Sequence, residues 1–153
     1  MTTITHKSLG ITKRQFKNIA KLTLFVKNKV VPPRFDINVF FKNEFGVERD
    51  LRQMKKEDYI CGTSACFLGY GPLAGFKADD NEFWTSYSKR VFGEDNRIYE
   101  ILFDTEHKNS KTAAVKRAAW LLTKGFPIGR LINWEAPRSF KPDWTAIEKI
   151  ANS

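Results

Sequence analysis

Residues 110–125 read SKTAAVKRAAWLLTKG, and this stretch carries the strongest secondary-structure signal in the chain. Its alanines and paired leucines favour a helix, and their spacing gives the helix one apolar side. Ser110 is a typical N-cap, because its hydroxyl accepts a hydrogen bond from an unpaired N–H of the first turn. Gly125 suits the position that follows the last turn. We therefore predict a helix over 110–124.

Helical patterns extend from this segment over most of the chain. Apolar residues recur at helical spacing over 13–31, and Pro32-Pro33 ends that pattern. Asp36 is a candidate N-cap for a short helix, and Thr63 or Ser64 for another. Strand-type alternation is weak, although a short hairpin between 46 and 60 stays open. The predicted helices cover 13–31, 37–45, 65–70, 79–92, 96–103, 110–124 and 143–151.

These segments predict a mainly α protein, a single compact domain of about six to seven helices. Residues 125–142 contain three prolines and two glycines, so we expect a long loop before the last helix. A chain of 153 residues, 42% of them hydrophobic, is long enough for one domain with its own core. Residues 1–12 are expected to be a flexible N-terminus.

The composition also narrows the location of the protein. No apolar run approaches the roughly 18 residues that a membrane helix requires, and the N-terminus lacks the apolar stretch of a signal peptide. Two cysteines, Cys61 and Cys66, are too few for a disulfide framework. We therefore expect a cytoplasmic protein without a membrane partner, and the sequence does not indicate its oligomeric state.

Positive charge is concentrated at the N-terminal end. The net charge is +9, and the residues before Asp36 include eight Lys or Arg and no acid. Helical spacing gathers Arg14, Lys17 and Lys21 on the polar side of the first helix. Such a stripe can follow a phosphate backbone or bind an acidic protein surface.

A second candidate site lies in YICGTSACFLGY, residues 59–70. If a helix starts here, its unpaired N–H groups attract anions, and small side chains let a ligand approach closely. Gly62, Thr63 and Ser64 would then donate hydrogen bonds to the ligand. Two other interpretations remain: the cysteines are small buried residues, or a cysteine at the helix start is an activated nucleophile.

The same stretch resembles a group of small uncharacterised proteins of bacteriophages and bacteria. The shared order is a helix, Arg34-Phe35-Asp36, a short helix, and Cys-Gly-Thr-x-Ala-Cys-x-x-Gly at 61–69. The resemblance covers about residues 15–105 and is specific mainly at the Cys-Gly-Thr core. It implies a phage origin, and by analogy a counter-defence role in the host cytoplasm, without implying an activity.

The third candidate site is on the 110–124 helix. Trp120 falls on the side opposite the apolar residues, where an indole beside cations can stack on a base while the cations meet phosphate. Alternatively, the 125–142 loop covers Trp120, with Trp134 and Phe140 pinning the loop to the body, or Trp120 lies in a dimer interface. The cations of this cluster are Lys116, Arg117 and Lys124.

An enzyme is the weaker hypothesis. A nucleophilic cysteine needs a base, and the two histidines are His6, near the N-terminus, and His107, in a polar loop where exposure is the usual outcome. The cysteine and histidine spacing does not fit a zinc site, so we expect neither a metal nor a cofactor. The sequence favours a non-enzymatic protein that binds an anionic small molecule of nucleotide type or a nucleic acid. The alternative is an inhibitor that binds an acidic host protein.

Overall fold

Helix α4, Lys111–Lys124, is central to the fold: it packs against α1, α3 and α5. The computed structural model describes residues 2–28, 34–43, 45–51 and 64–153. Within them the chain forms five α-helices and two short 3-10 helices, Lys7–Leu9 and Leu68–Tyr70. The other α-helices are α1, Lys13–Asn28; α2, Trp84–Phe92; α3, Asn96–Leu102; and α5, Trp144–Asn152.

Side-chain N-caps, of which Ser110 was predicted, explain where three of these helices begin. The Ser110 hydroxyl accepts a hydrogen bond from the Ala113 N–H at 3.3 Å. The carboxylates of Asp95 and Asp143 do the same for the first turns of α3 and α5. Each bond satisfies a donor that the helix itself leaves unpaired. The mainly α fold is thereby confirmed, with fewer α-helices in the described residues than the six to seven expected.

Helix α2 begins later than the sequence suggested. The predicted helix 79–92 begins at the Asp79-Asp80 pair, but the first residue of α2 is Trp84. The Asp79 N–H donates to the carboxylate of Glu82 at 2.7 Å, which closes a turn ahead of the helix. The Ser86 hydroxyl then accepts from the Phe83 N–H at 3.0 Å and satisfies a donor at the true helix start.

The short helix predicted over 37–45 does not form in its described residues, and of the one predicted over 65–70 only the 3-10 helix Leu68–Tyr70 is present. A small sheet forms in this part of the chain instead. Its strands are β1, Arg34–Phe35; β2, Phe41–Lys42; and β3, Ser64–Ala65, in the order β1-β3-β2. β3 runs parallel to β1 and antiparallel to β2. Asp36 therefore follows a strand instead of capping a helix, and its carboxylate accepts from the Asn38 N–H in a turn.

A hairpin connects β2 to the residues that follow it. The Asn43 N–H donates to the Val47 carbonyl, and the Arg49 N–H donates to the Phe41 carbonyl. Gly46 provides the left-handed backbone of the turn, at a φ of 78°. The hairpin pairs 41–43 with 47–49, so it begins ahead of the 46–60 window in which a hairpin was considered. Residues 52–60 lie outside the described residues.

The long loop before the last helix is confirmed, since residues 125–143 contain neither helix nor strand. At the N-terminus, where we expected flexibility, Leu9 and Ile11 are buried in the core. Over the described residues, none of the helices combines the length and the apolar character needed to cross a bilayer.

Candidate anion-binding surfaces

The predicted site at the 59–70 motif does not form on a helix N-terminus at Ser64. Ser64 and Ala65 belong to β3, where Ala65 pairs with β1 on one side and β2 on the other. The Cys66 N–H donates to the Val39 carbonyl just beyond the sheet, so this donor is already paired. Gly62 and Thr63, the other predicted anion ligands of the motif, lie outside the described residues, as does Cys61.

Cys66 is unsuited to act as a nucleophile. Its side chain is buried in the core, and this burial raises the pKa of the thiol to about 11. The thiol therefore stays protonated at neutral pH, whereas nucleophilic attack requires the thiolate. Across the described residues, no group of three or more His, Cys, Asp or Glu side chains is placed to hold a metal ion.

The predicted cluster on α4 is divided by the loop that follows the helix. Arg117 is 0% exposed, and its Nη1 donates to Glu135 Oε1 at 2.7 Å. The interpretation that Arg117 faces solvent beside Trp120 is therefore wrong, because the loop folds over this side of α4. Lys124 is exposed and Lys116 is half-buried.

The loop after α4 covers Trp120, as the alternative interpretation of this residue proposed. The ring of Trp134 lies 5.2 Å from it and the ring of Phe140 lies 5.1 Å away, both measured between ring centroids. The two contacts are tilted or edge-on, which are favourable arrangements for aromatic pairs. Trp134 and Phe140 thus pin the loop to α4, as the sequence suggested, and leave Trp120 half-buried.

His107 is a buried residue whose place the sequence did not reveal. It is 3% exposed, and its Nε2 lies 2.5 Å from the Glu100 carbonyl oxygen, so in the neutral ring Nε2 carries the proton and donates. Burial, and then the nearby positive charge of Arg117, lower the pKa of the imidazole. A histidine in the polar run Thr105-Glu-His-Lys-Asn gives no periodic signal of burial, which is why exposure was expected.

The lowered pKa of His107 predicts that stability decreases with acidification. Below pH about 6.5, unfolded chains take up a proton that the folded protein resists, so the free energy of unfolding falls until the pH passes the folded pKa. Urea unfolding at about pH 7.5 and about pH 5.5 measures this loss. We expect a smaller loss in His107→Gln, whereas His6→Gln, the control, should behave as the wild type. Equal losses in all three proteins would contradict the prediction.

The predicted basic stripe of α1 forms one wall of a groove of about 780 Å³ between α1 and α2. Arg14, Lys17 and Lys21 come from α1, and Lys77 and Arg90 come from the opposite wall. We call this region the basic groove. Lys77 and Arg90 are additions that the sequence did not predict, because more than 50 residues separate them from the stripe.

Side-chain hydrogen bonds fix the two walls of the basic groove to each other. Thr12 and Gln15 form a capping box at the start of α1, with reciprocal bonds of 3.1 and 3.0 Å. The side-chain amide nitrogen of Gln15 also donates to the carbonyls of Lys89 and Arg90. The side-chain amide nitrogen of Asn18 donates to the Val91 carbonyl. These carbonyls belong to the last turn of α2 and lack helical partners, so α1 caps α2 while it sets the width of the groove.

The cations of the basic groove differ in their partners. Arg90 Nε and Nη2 donate to the carboxylate of Glu82 at 2.7 Å each, and Asp79 lies 3.2 Å from Nε. These carboxylates balance the charge of Arg90 and, chiefly through Glu82, raise its pKa.

The other cations of the groove have no such carboxylate partner among the contacts described above. Three of them are exposed, Arg14, Lys21 and Lys77, and Lys17 Nζ donates to the Ser153 carbonyl at 2.9 Å. The positive potential of the groove therefore comes mainly from the three cations of α1 and from Lys77.

Comparison with known proteins does not indicate what these surfaces bind. The motif resemblance stays a prediction, since part of the motif lies outside the described residues. Comparison of the chain with known proteins returns no matching family model, no curated relative and no solved structure.

Proposed function

We propose that this protein is a non-enzymatic nucleic-acid-binding protein that contacts the phosphate backbone through the basic groove. The observation that carries the proposal is the meeting of Arg14, Lys17 and Lys21 with Lys77 across one groove. Lysine and arginine side chains that neutralise phosphates supply most of the affinity of such proteins, through the release of counterions.

The arrangement of the cations favours a long polyanion over a small nucleotide. A helix rises about 1.5 Å per residue, so Arg14, Lys17 and Lys21 are spaced by about 4.5 and 6 Å along α1. Their charges are spread along one wall instead of converging on a single phosphate. Long, flexible side chains in this row suit successive phosphates of a strand, and they make contacts that are independent of base sequence.

The proposal predicts a specific dependence of DNA affinity on salt. We expect R14Q/K17Q/K21Q to bind a labelled DNA duplex more weakly than the wild type and with a shallower salt dependence. Each lost phosphate contact lowers the slope of log affinity against log salt by about 0.9, so three contacts lower it by nearly 3. Fluorescence anisotropy over a series of salt concentrations measures both quantities.

A matched control separates the basic groove from net charge. Lys108, Arg138 and Lys141 are exposed and do not line the groove. K108Q/R138Q/K141Q therefore removes the same charges, one arginine and two lysines, from other parts of the surface. If this control loses as much affinity and slope as R14Q/K17Q/K21Q, the groove is not the binding surface and the proposal fails.

Exposed apolar side chains favour a second candidate function, binding to a host protein. Phe45 and Val47 on the hairpin turn are 82% and 57% exposed, and Ile128 on the long loop is fully exposed. An inhibitor that binds an acidic protein could combine such anchors with the basic surface. By analogy with the phage proteins that the motif resembles, counter-defence is the process we propose for either function. A pull-down from host lysate tests this candidate. Capture of one dominant acidic protein by the wild type, and its loss with Phe45→Ser, would favour protein binding over nucleic-acid binding.

A further inference from the structure

Arg117 and His107 are both buried, and the charge of Arg117 acts on the imidazole of His107. The hydrogen-bonding capacity of both side chains is only partly used. Arg117 Nε and Nη2, and His107 Nδ1, have no hydrogen-bond partner among the described residues. Buried polar groups are nearly always paired, so each of these atoms requires an explanation. Arg117 has N–H groups to donate, whereas His107 Nδ1 has a lone pair to offer because Nε2 donates to Glu100. A group that accepts from Arg117 and donates to His107 would satisfy both side chains.

The residues that cover Arg117 and Trp120 imitate an anionic aromatic ligand. We call residues 132–142 the strap. The strap places the carboxylate of Glu135 against Arg117, and the rings of Trp134 and Phe140 against Trp120. Arg117 and Trp120 are three residues apart and therefore neighbours on the surface of α4. An anion on Arg117 and a ring on Trp120 are also what the phosphate and the base of a nucleotide would provide.

The strap is attached to the body mainly by side chains. Among the described residues, its backbone–backbone hydrogen bonds are two local turns, from Trp134 to Leu131 and from Phe140 to Pro137. Glu135 accepts from Arg117 and, at 3.3 Å, from the Lys108 N–H. The Glu135 side chain is 36% exposed, and on moving into water it gains hydration in exchange for its contacts with Arg117 and the Lys108 N–H. The strap can therefore leave α4 without breaking a strand ladder or a helix.

We propose that α4 and His107 form a binding site for a nucleoside monophosphate, which the strap occupies in the free protein. In the bound state the phosphate replaces Glu135 on Arg117, and the base stacks on Trp120 in place of Trp134. The site binds the phosphate as its monoanion, whose remaining hydroxyl donates to His107 Nδ1. This site is separate from the basic groove and does not depend on the nucleic-acid function.

Removal of the competing carboxylate should expose the site. Glu135→Gln keeps an oxygen that accepts from Arg117 but removes the negative charge, and Trp134→Ala removes cover from Trp120. We expect each variant to bind adenosine monophosphate (AMP) about tenfold more tightly than the wild type in calorimetry, because less binding energy is spent on displacing the strap. Glu148→Gln, which removes an exposed carboxylate from α5, is the matched control and should bind as the wild type does.

Further measurements decide between the proposal and its alternatives. We expect AMP to increase hydrogen exchange over 132–142, and inorganic phosphate or adenosine alone to bind more weakly than AMP. R14Q/K17Q/K21Q should retain AMP binding, which keeps this test independent of the basic groove. The proposal would be overturned if neither Glu135→Gln nor Trp134→Ala bound AMP at millimolar concentration. It would also be overturned if Glu148→Gln bound AMP more tightly than the wild type by the same factor as these variants. Phosphate that binds as tightly as AMP would overturn the role of Trp120.

Discussion

Replacement of Glu135 with alanine is expected to lower the free energy of unfolding by about 3 kcal/mol, because it leaves the buried Arg117 guanidinium without its carboxylate. Desolvation already opposes the charged form of Arg117, whose pKa burial lowers, and Glu135 is the group that offsets this cost. Urea denaturation with linear extrapolation measures the change. A loss below about 1 kcal/mol would contradict the prediction and indicate that water replaces the carboxylate.

A double substitution tests whether the loss comes from the stranded charge. R117M/E135L removes both ionic groups and keeps apolar volume under the strap, and such replacements of buried ion pairs are often neutral or stabilising. We therefore expect R117M/E135L to be more stable than Glu135→Ala. If the two proteins are equally destabilised, the strap is held by the shape of Glu135 and its neighbours, and the ion pair contributes little.

Local signals in the sequence were sufficient to predict most helices. Ser110 caps α4 as predicted, α3 and α5 begin within one residue of their predicted starts, and Gly125 ends α4 with a positive φ of 83°. These signals act over three or four residues, so a single sequence contains all the information that they need. The same reasoning identified Arg14, Lys17 and Lys21 as one surface, since helical spacing alone brings them together.

The sheet and the buried charges could not be predicted in this way, because both depend on distant partners. Each strand is two residues long, too short for an alternating pattern, and β1 pairs with β3 across 30 residues of sequence. Arg117 is buried because Glu135 returns to it from a loop 18 residues later. One signal was available: Glu135 adjoins Trp134, which was already expected to pin the loop to α4.

The fold also depends on a contact that only glycine permits, at Gly69 of the Cys-Gly-Thr-x-Ala-Cys-x-x-Gly motif. A Cβ on this residue would collide with the backbone carbonyl of Phe40, next to the start of β2. The Phe40 carbonyl lies between β2 and Val39, which accepts from the Cys66 N–H, so it cannot rotate away as a flexible side chain can. The glycine thus lets the 3-10 helix after β3 pack directly on the segment that leads into β2.

Gly69→Ala is therefore expected to destabilise the protein by about 3 kcal/mol or more, although alanine normally favours helical backbone over glycine. Gly129→Ala is the matched control, because Gly129 has a left-handed φ of 94° but no atom within 4 Å of the position that a Cβ would take. The left-handed backbone alone should lower the free energy of unfolding of Gly129→Ala by about 1–2 kcal/mol. Urea unfolding of both variants measures the difference. If Gly69→Ala is no less stable than Gly129→Ala, the approach of Gly69 to the Phe40 carbonyl is not a constraint on the fold, and the glycine of the motif requires another explanation.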